Sequence, residues 1–232
     1  YTSDAFWLPD TFGYSASLPQ IMQGCRVKYF LTTKMAWNDT NVFPYDTFYW
    51  KGIDGSQVLV HFNSTHVWPE PEALAENLLE AGTNTIKERS VSNMRLISYG
   101  FGDGGGGPEF EMVEIAERMK DVEGMPRTSH TTVSRFMQEL EQSLVEPSTY
   151  NGELYLELHR GTLTNQHVIK RNNRKAEFAL RDLEFLTVWD AVCRDQAASA
   201  EKIDPLTCEM LVNQFHDILP GTCIPSAHDE AI

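Results

Sequence analysis

The feature that most constrains this chain is a change of rhythm. Up to about residue 145, short apolar β-rich runs alternate with amphipathic helical stripes; beyond about residue 160 only helical stripes remain. Alternation of that kind predicts an α/β architecture in which helices connect strands of a sheet. The uniform helical tail predicts part of a helical bundle. The turn-rich segment Pro147 to Gly152 falls between them, so a boundary is expected at 148–160, with an α/β portion over 1–148 and a helical portion over 149–232.

The alternation starts at once. Ala5 to Leu8 reads as a strand stopped by Pro9, which has no N–H to give a ladder. Asp10 follows, then a turn around Gly13, with Ser15 expected to cap a helix to about Gln23. Arg26 to Thr33 predicts a strand, and Thr33 to Phe43 a polar loop. Asp54-Gly55 lies between the β-rich runs Thr47 to Ile53 and Ser56 to Phe62, a strong hairpin signal. A helical region over Pro69 to Lys87 leads to a strand over Met94 to Tyr99 and then to the glycine-rich GFGDGGGGP. Pro108 is expected to open the next helix, whose face carries Met112, Ala116 and Met119. Val133, Phe136, Met137, Leu140 and Leu144 form a further stripe. Glu153 to His159 predicts one brief strand before the helices take over, the second of them starting near Pro205 and ending near His216.

Charge excludes some partners. The net charge of −14 disfavours nucleic acid and anionic membranes, which select basic surfaces. The four cysteines show no CxxC pair and no staple density, which predicts reduced, mostly structural thiols. His61 and His66 have no metal-ligand spacing and read as strand or surface histidines.

Three places could carry chemistry. Asp10 stands just beyond a strand, where α/β folds present their reactive groups, although on spacing alone it serves equally as a turn residue. Asp103 is the one charged side chain of the glycine loop. The loop's match to G-x-G-x-x-G makes a nucleotide-binding module an alternative, disfavoured because Asp103 would face the phosphates. Its glycines instead suggest backbone passing close to something bulky. If the two preceding strands share one sheet or barrel, both carboxylates lie on its C-terminal rim, which suits glycoside hydrolysis. The third place is Gln214-Phe215-His216-Asp217, at a helix end, where His216 and Asp10 could supply one nitrogen and one oxygen to a metal.

As a set these residues resemble a known family. Trp7-Leu8-Pro9-Asp10-Thr11-Phe12-Gly13-Tyr14-Ser15 with Leu18-Pro19-Gln20-Ile21 resembles the nucleophile motif of family 38 glycoside hydrolases, the class II α-mannosidases. Tyr99 to Pro108 looks like the acid/base loop of their cytosolic and vacuolar branch. Gln214 to Thr222 is similar to that branch's zinc-histidine segment, and Glu157 to Thr162 resembles the start of the family's helical domain.

The resemblance implies a seven-stranded (β/α) barrel-like catalytic domain followed by a three-helix bundle. It implies retaining hydrolysis of terminal α-D-mannosides, with Asp10 as nucleophile and zinc ligand, Asp103 as general acid/base and His216 as a second ligand. Phe12, Asp217 and Arg160 would line the substrate. The family's other two zinc ligands come from a His-x-Asp motif that would lie upstream of Tyr1, so the chain is expected to be an internal piece, inactive alone. The expected partner is an α-mannoside or oligosaccharide, with homo-oligomerisation left open. The branch-like motifs and the lack of a disulfide pattern imply a cytoplasmic location. A non-catalytic sugar-binding relative is the competing reading.

Overall fold

The computed structural model describes residues 3–67, 71–83, 86–102 and 105–232. The chain forms two compact units, Tyr1–Leu158 and His159–Ile232.

The first unit is built on a mixed sheet. Its strands are β1 (Ala5–Trp7), β3 (Tyr29–Thr32), β4 (Thr47–Lys51), β5 (Gln57–Phe62) and β8 (Thr149–Asn151), in the order β1-β3-β5-β4-β8. β1, β3 and β5 run parallel, β4 is antiparallel to β5, and β8 is parallel to β4. The Asp54-Gly55 hairpin is therefore present, with Lys51 paired to Gln57. The strands of the sheet's middle are buried on both faces, so they read as continuous apolar runs. Phe30, Phe48, Trp50, Val58 and Val60 pack on one face, with Tyr14, Met22 and Phe43. Tyr29, Leu31 and Leu59 pack on the other. There they meet Phe136, Met137 and Leu140 of α4 (Val133–Ser143), the side of the expected stripe that is buried.

Several local expectations are corrected. Helix α1 (Leu18–Gly24) starts after Ser17, and Ser15 does not cap it; the Ser15 hydroxyl accepts the Ser17 N–H at 3.3 Å instead. The loop after β3 contains a 3-10 turn, Lys34–Trp37, with Lys34 and Met35 buried. Pro108 precedes α3 (Phe110–Arg118), whose cap position is Glu109. The turn-rich Pro147 to Gly152 contains strand β8, anchored by the Trp50 indole N–H on the Gly152 carbonyl at 2.7 Å. The cysteines are unpaired, and Cys25, Cys193 and Cys208 are exposed, which does not suit the structural role expected of them.

Two smaller ladders complete this unit. β2 (Gly13–Tyr14) pairs antiparallel with β9 (Leu154–Tyr155). β6 (Ser64–Val67) pairs parallel with β7 (Ile97–Tyr99). Leu74 and Leu78 of α2 (Pro71–Thr83) pack on Ile97 and Tyr99 and on Ile115 and Ala116 of α3. The β1–β3–β5 ladder and the β6–β7 ladder are separated by Asn63 alone, whose N–H meets the Thr32 carbonyl at 3.1 Å while the Ser64 N–H meets the Leu96 carbonyl at 3.3 Å.

The second unit is helical: α5 (His167–Arg194), α6 (Ile203–Asn213), which starts two residues before Pro205 and ends three before His216, and α7 (Pro225–Glu230), which the apolar pattern does not reveal. Among the described residues no helix is long and apolar enough to cross a membrane.

Candidate active site

Asp10 owes its position to strand pairing. β1 lies parallel to β3 with Trp7 opposite Leu31. The pairing continues past the strand ends, with the Leu8 N–H on the Leu31 carbonyl at 3.0 Å and the Thr33 N–H on the Pro9 carbonyl at 3.3 Å. Asp10 and Lys34 each come three residues after a member of the Trp7–Leu31 pair, so they emerge side by side at the carboxyl edge of the sheet. The Lys34 ammonium reaches Asp10 Oδ1 at 2.9 Å.

The two partners differ in setting. The Lys34 side chain is 8% exposed and that of Asp10 54%. The ammonium also lies 3.3 Å from the centroid of the Trp37 ring and 5.9 Å from that of Phe12. The protein thus holds the cation on aromatic faces and leaves the carboxylate open to a ligand.

The turn after Asp10 is clamped. The Tyr14 hydroxyl donates to the Leu8 carbonyl at 2.6 Å. A phenol has one proton, so at the 2.5 Å contact with Thr32 the threonine hydroxyl must be the donor. Burial pushes the Tyr14 phenol up to about 12, which keeps it a proton donor across the neutral range. Gly13 has φ +116°, and a Cβ there would stand 3.2 Å from the Leu154 carbonyl, so the turn admits only glycine where β2 meets β9.

The loop carrying Trp37 is tied down as well. The Asn38 side-chain oxygen accepts the Glu157 N–H at 2.9 Å. The Glu157 carboxylate in turn accepts the backbone N–H groups of Thr40 and Asn41 at 2.9 and 2.6 Å.

Asp103 and Gly104 lie outside the described residues. The flanking loop folds on itself, with the Phe101 N–H on the Gly106 carbonyl at 3.1 Å. A Cβ at Gly100 would approach the Pro108 nitrogen to 3.2 Å, and one at Gly106 the Phe101 ring to 3.1 Å. The loop's own closure thus accounts for Gly100, at φ +133°, whereas a Cβ at Gly105 or Gly107 would meet nothing within 4 Å. Just before the loop, the Tyr99 hydroxyl contacts His130 Nε2 at 2.6 Å, and His130 Nδ1 contacts Glu117 at 3.0 Å.

His61 takes the structural role expected of it. It is buried, receives the Leu96 N–H on Nε2 at 3.1 Å and so bears its proton on Nδ1, toward Thr47 at 2.9 Å. Burial, reinforced by the Arg95 charge, pushes it down to about 3. The His66 side chain lies outside the description.

In the second unit, Arg160 opens a 3-10 turn, Arg160–Leu163. His216 and Asp217 are exposed in the turn after α6. Gln214 donates to Asn173 of α5 at 3.0 Å, Lys170 to the Leu219 carbonyl at 3.0 Å and Asn165 to the Gly221 carbonyl at 2.8 Å, so α5 and the turn before it hold this segment. The Thr222 N–H and hydroxyl close the turn onto the Asp217 carbonyl at 3.0 and 3.3 Å.

Lys34 is the site residue that sequence reasoning missed. The available signal was its place three residues after Leu31, matching that of Asp10 after Trp7, once the two strands are paired. Among the described residues no group of three or more His, Cys, Asp or Glu side chains is placed to hold a metal ion. A zinc site takes three or four donors, so the described residues of this chain do not form one by themselves.

Comparison with known proteins decides the family. The glycosyl hydrolases family 38 N-terminal domain matches residues 1–153, and the alpha mannosidase middle domain matches residues 157–232. The chain belongs to glycosyl hydrolase family 38. This family 38 chain is 42% identical over 228 residues to human alpha-mannosidase 2C1, covering 98% of the chain and 22% of that protein. It is 39% identical to alpha-mannosidase G of Dictyostelium discoideum and 37% identical to an alpha-mannosidase of Saccharomyces cerevisiae, covering 98% and 96% of the chain and 21% of each relative. It thus spans about a fifth of the length of the curated relatives it matches. Its fold is similar to that of an alpha-mannosidase from Enterococcus faecalis V583, with a TM-score of 0.69 at 16% identity over 98% of this chain and 27% of that one. A second Enterococcus faecalis family 38 structure gives 0.58 at 15% identity over 97% and 24%.

Proposed function

We propose that this family 38 chain carries the two catalytic carboxylates of a longer enzyme that hydrolyses terminal α-D-mannosides with retention. The observation that supports it most is Asp10: an exposed carboxylate at the carboxyl edge of parallel strands, held by a buried lysine. Family membership and the alpha-mannosidase names of the relatives point the same way.

In the first step an Asp10 oxygen bonds to the anomeric carbon as the glycosidic C–O bond breaks, and the leaving oxygen takes the proton of the Asp103 carboxylic acid. In the second, Asp103, now a carboxylate, takes a proton from water, whose oxygen attacks the anomeric carbon and releases Asp10. Phe12 lies near the sugar ring and Asp217 beside the sugar, with Arg160 as a further substrate-binding residue. Residues 1–148 form part of a (β/α) barrel-like catalytic domain and 149–232 part of a three-helix bundle. A cytoplasmic location goes with this reading, supported by the unpaired cysteines.

Zinc belongs to the same proposal. Asp10 and His216 are its two ligands from this chain, and the others come from polypeptide outside these 232 residues. With two donors of four, this chain does not hold the ion by itself, and the isolated chain is inactive or nearly so.

The test uses the full-length protein. Asp10→Ala lowers both turnover and bound zinc, and Asp103→Ala lowers turnover and spares the zinc. Undiminished turnover in Asp10→Ala overturns the assignment. Hydrolysis of an aryl α-mannoside by the isolated chain, abolished by Asp10→Asn, overturns the claim of inactivity.

A further inference from the structure

We propose that Lys34 takes part in the same reaction, as the residue that positions the Asp10 carboxylate and divides its two oxygens. The inference rests on Asp10 being the nucleophile.

The geometry is directional. Lys34 is the buried end of the pair and Asp10 the exposed end. The ammonium is fixed by the Trp37 face, 3.3 Å from its centroid, and Trp37 leads into a loop bound at Asn38, Thr40 and Asn41 to Glu157. The lysine therefore does not follow the carboxylate; the carboxylate turns to meet the lysine. With Oδ1 bonded to the ammonium, Oδ2 is the oxygen left for bond formation at carbon.

Stability does not explain the arrangement. Removing an ammonium from water is costly, and pairing it with a carboxylate that remains half in solvent returns little. The cost is understandable if the cation serves the chemistry. When Oδ2 bonds to the anomeric carbon, Asp10 loses its charge and Lys34 keeps its hydrogen bond to what has become the ester carbonyl oxygen. When water releases the sugar, the charge returns to a carboxylate already facing a cation. Lys34 gives up no proton in either step.

The experiment uses the full-length protein, with Lys34→Met, Lys34→Arg and Lys34→Ala measured on an aryl α-mannoside. Lys34→Met lowers kcat by about 10²–10³-fold, the effect of removing one preorganised charge or donor, while KM changes less than about threefold. Lys34→Arg, which keeps the charge, stays within about tenfold of wild type. Lys34→Ala regains rate with added propylammonium, a recovery that repair of packing by a neutral propyl compound does not reproduce. If Lys34→Met does not fold, Lys34→Gln replaces it, with the same fall expected. A folded neutral variant with kcat within about threefold of wild type overturns the proposal while leaving the mannosidase reading intact. Wild-type protein without α-mannosidase turnover removes the functional reading, and the Lys34 proposal with it.

Discussion

Asp10 and Lys34 follow paired residues of adjacent parallel strands at equal distance along the chain, and their side chains meet at 2.9 Å. Neither residue makes the arrangement alone. The β1–β3 register brings both to one edge, and the Leu8–Leu31 and Thr33–Pro9 hydrogen bonds carry that register into the loops.

The Tyr14 clamp secures this edge, so Tyr14→Phe should be felt there. The substitution removes the proton given to Leu8 and the oxygen that accepts from Thr32. A loss of about 1–3 kcal/mol in unfolding free energy is expected, read by denaturant titration. Amide exchange at Thr33 should accelerate with it, and unchanged exchange there would count against the clamp.

Gly13→Ala tests the next residue of the turn. Its φ of +116° and the 3.2 Å approach to the Leu154 carbonyl leave no room for a methyl group. The expected cost is about 1–3 kcal/mol. Thermal melts should also show Gly24→Ala to be much milder, since a Cβ at Gly24 meets nothing within 4 Å.

His61 gives the fold a defined acid sensitivity. Its folded value of about 3 lies below the usual value of 6.5, so the unfolded chain binds the extra proton. The stabilising contribution is complete above about pH 6.5 and shrinks as pH falls toward 3; roughly 2 kcal/mol is gone by pH 5. His61→Leu, though less stable at pH 7, should lose less stability between pH 7 and pH 5 than wild type. Equal losses in the two proteins would assign the sensitivity to other groups.

Parts of this site were legible in the sequence because they rest on local chemistry. Asp54-Gly55 dictates its own hairpin, and the α4 stripe declares a buried face. Asp10 was visible as a carboxylate at a strand end. Lys34 was not, because a lysine in a polar stretch reads as solvated; only strand pairing and the Trp37 face bury it. β8 was hidden for a related reason, since Thr149-Tyr150-Asn151 lies within the turn chemistry of Pro147 to Gly152 and becomes a strand only beside β4. Ser15 and Ser17 both qualify as caps by composition, and backbone geometry chooses between them.

In the second unit, Lys170→Met should loosen the segment that carries His216. It removes donation to the Leu219 and Asn165 carbonyls while leaving Gln214 on Asn173. Hydrogen exchange is expected to rise at Leu219 and Gly221 before it rises in the middle of α5. A uniform rise across the unit would mean that Lys170 supports the helix and not the turn.

The most direct test of the central claim is to find where the sugar becomes attached. The full-length protein is treated with a fluorinated α-mannosyl inactivator that slows release of the glycosyl-enzyme, digested and sequenced by mass spectrometry. A mannosyl adduct on Asp10 is the predicted result. An adduct on another carboxylate, or cleavage with inversion and no adduct, would contradict the account.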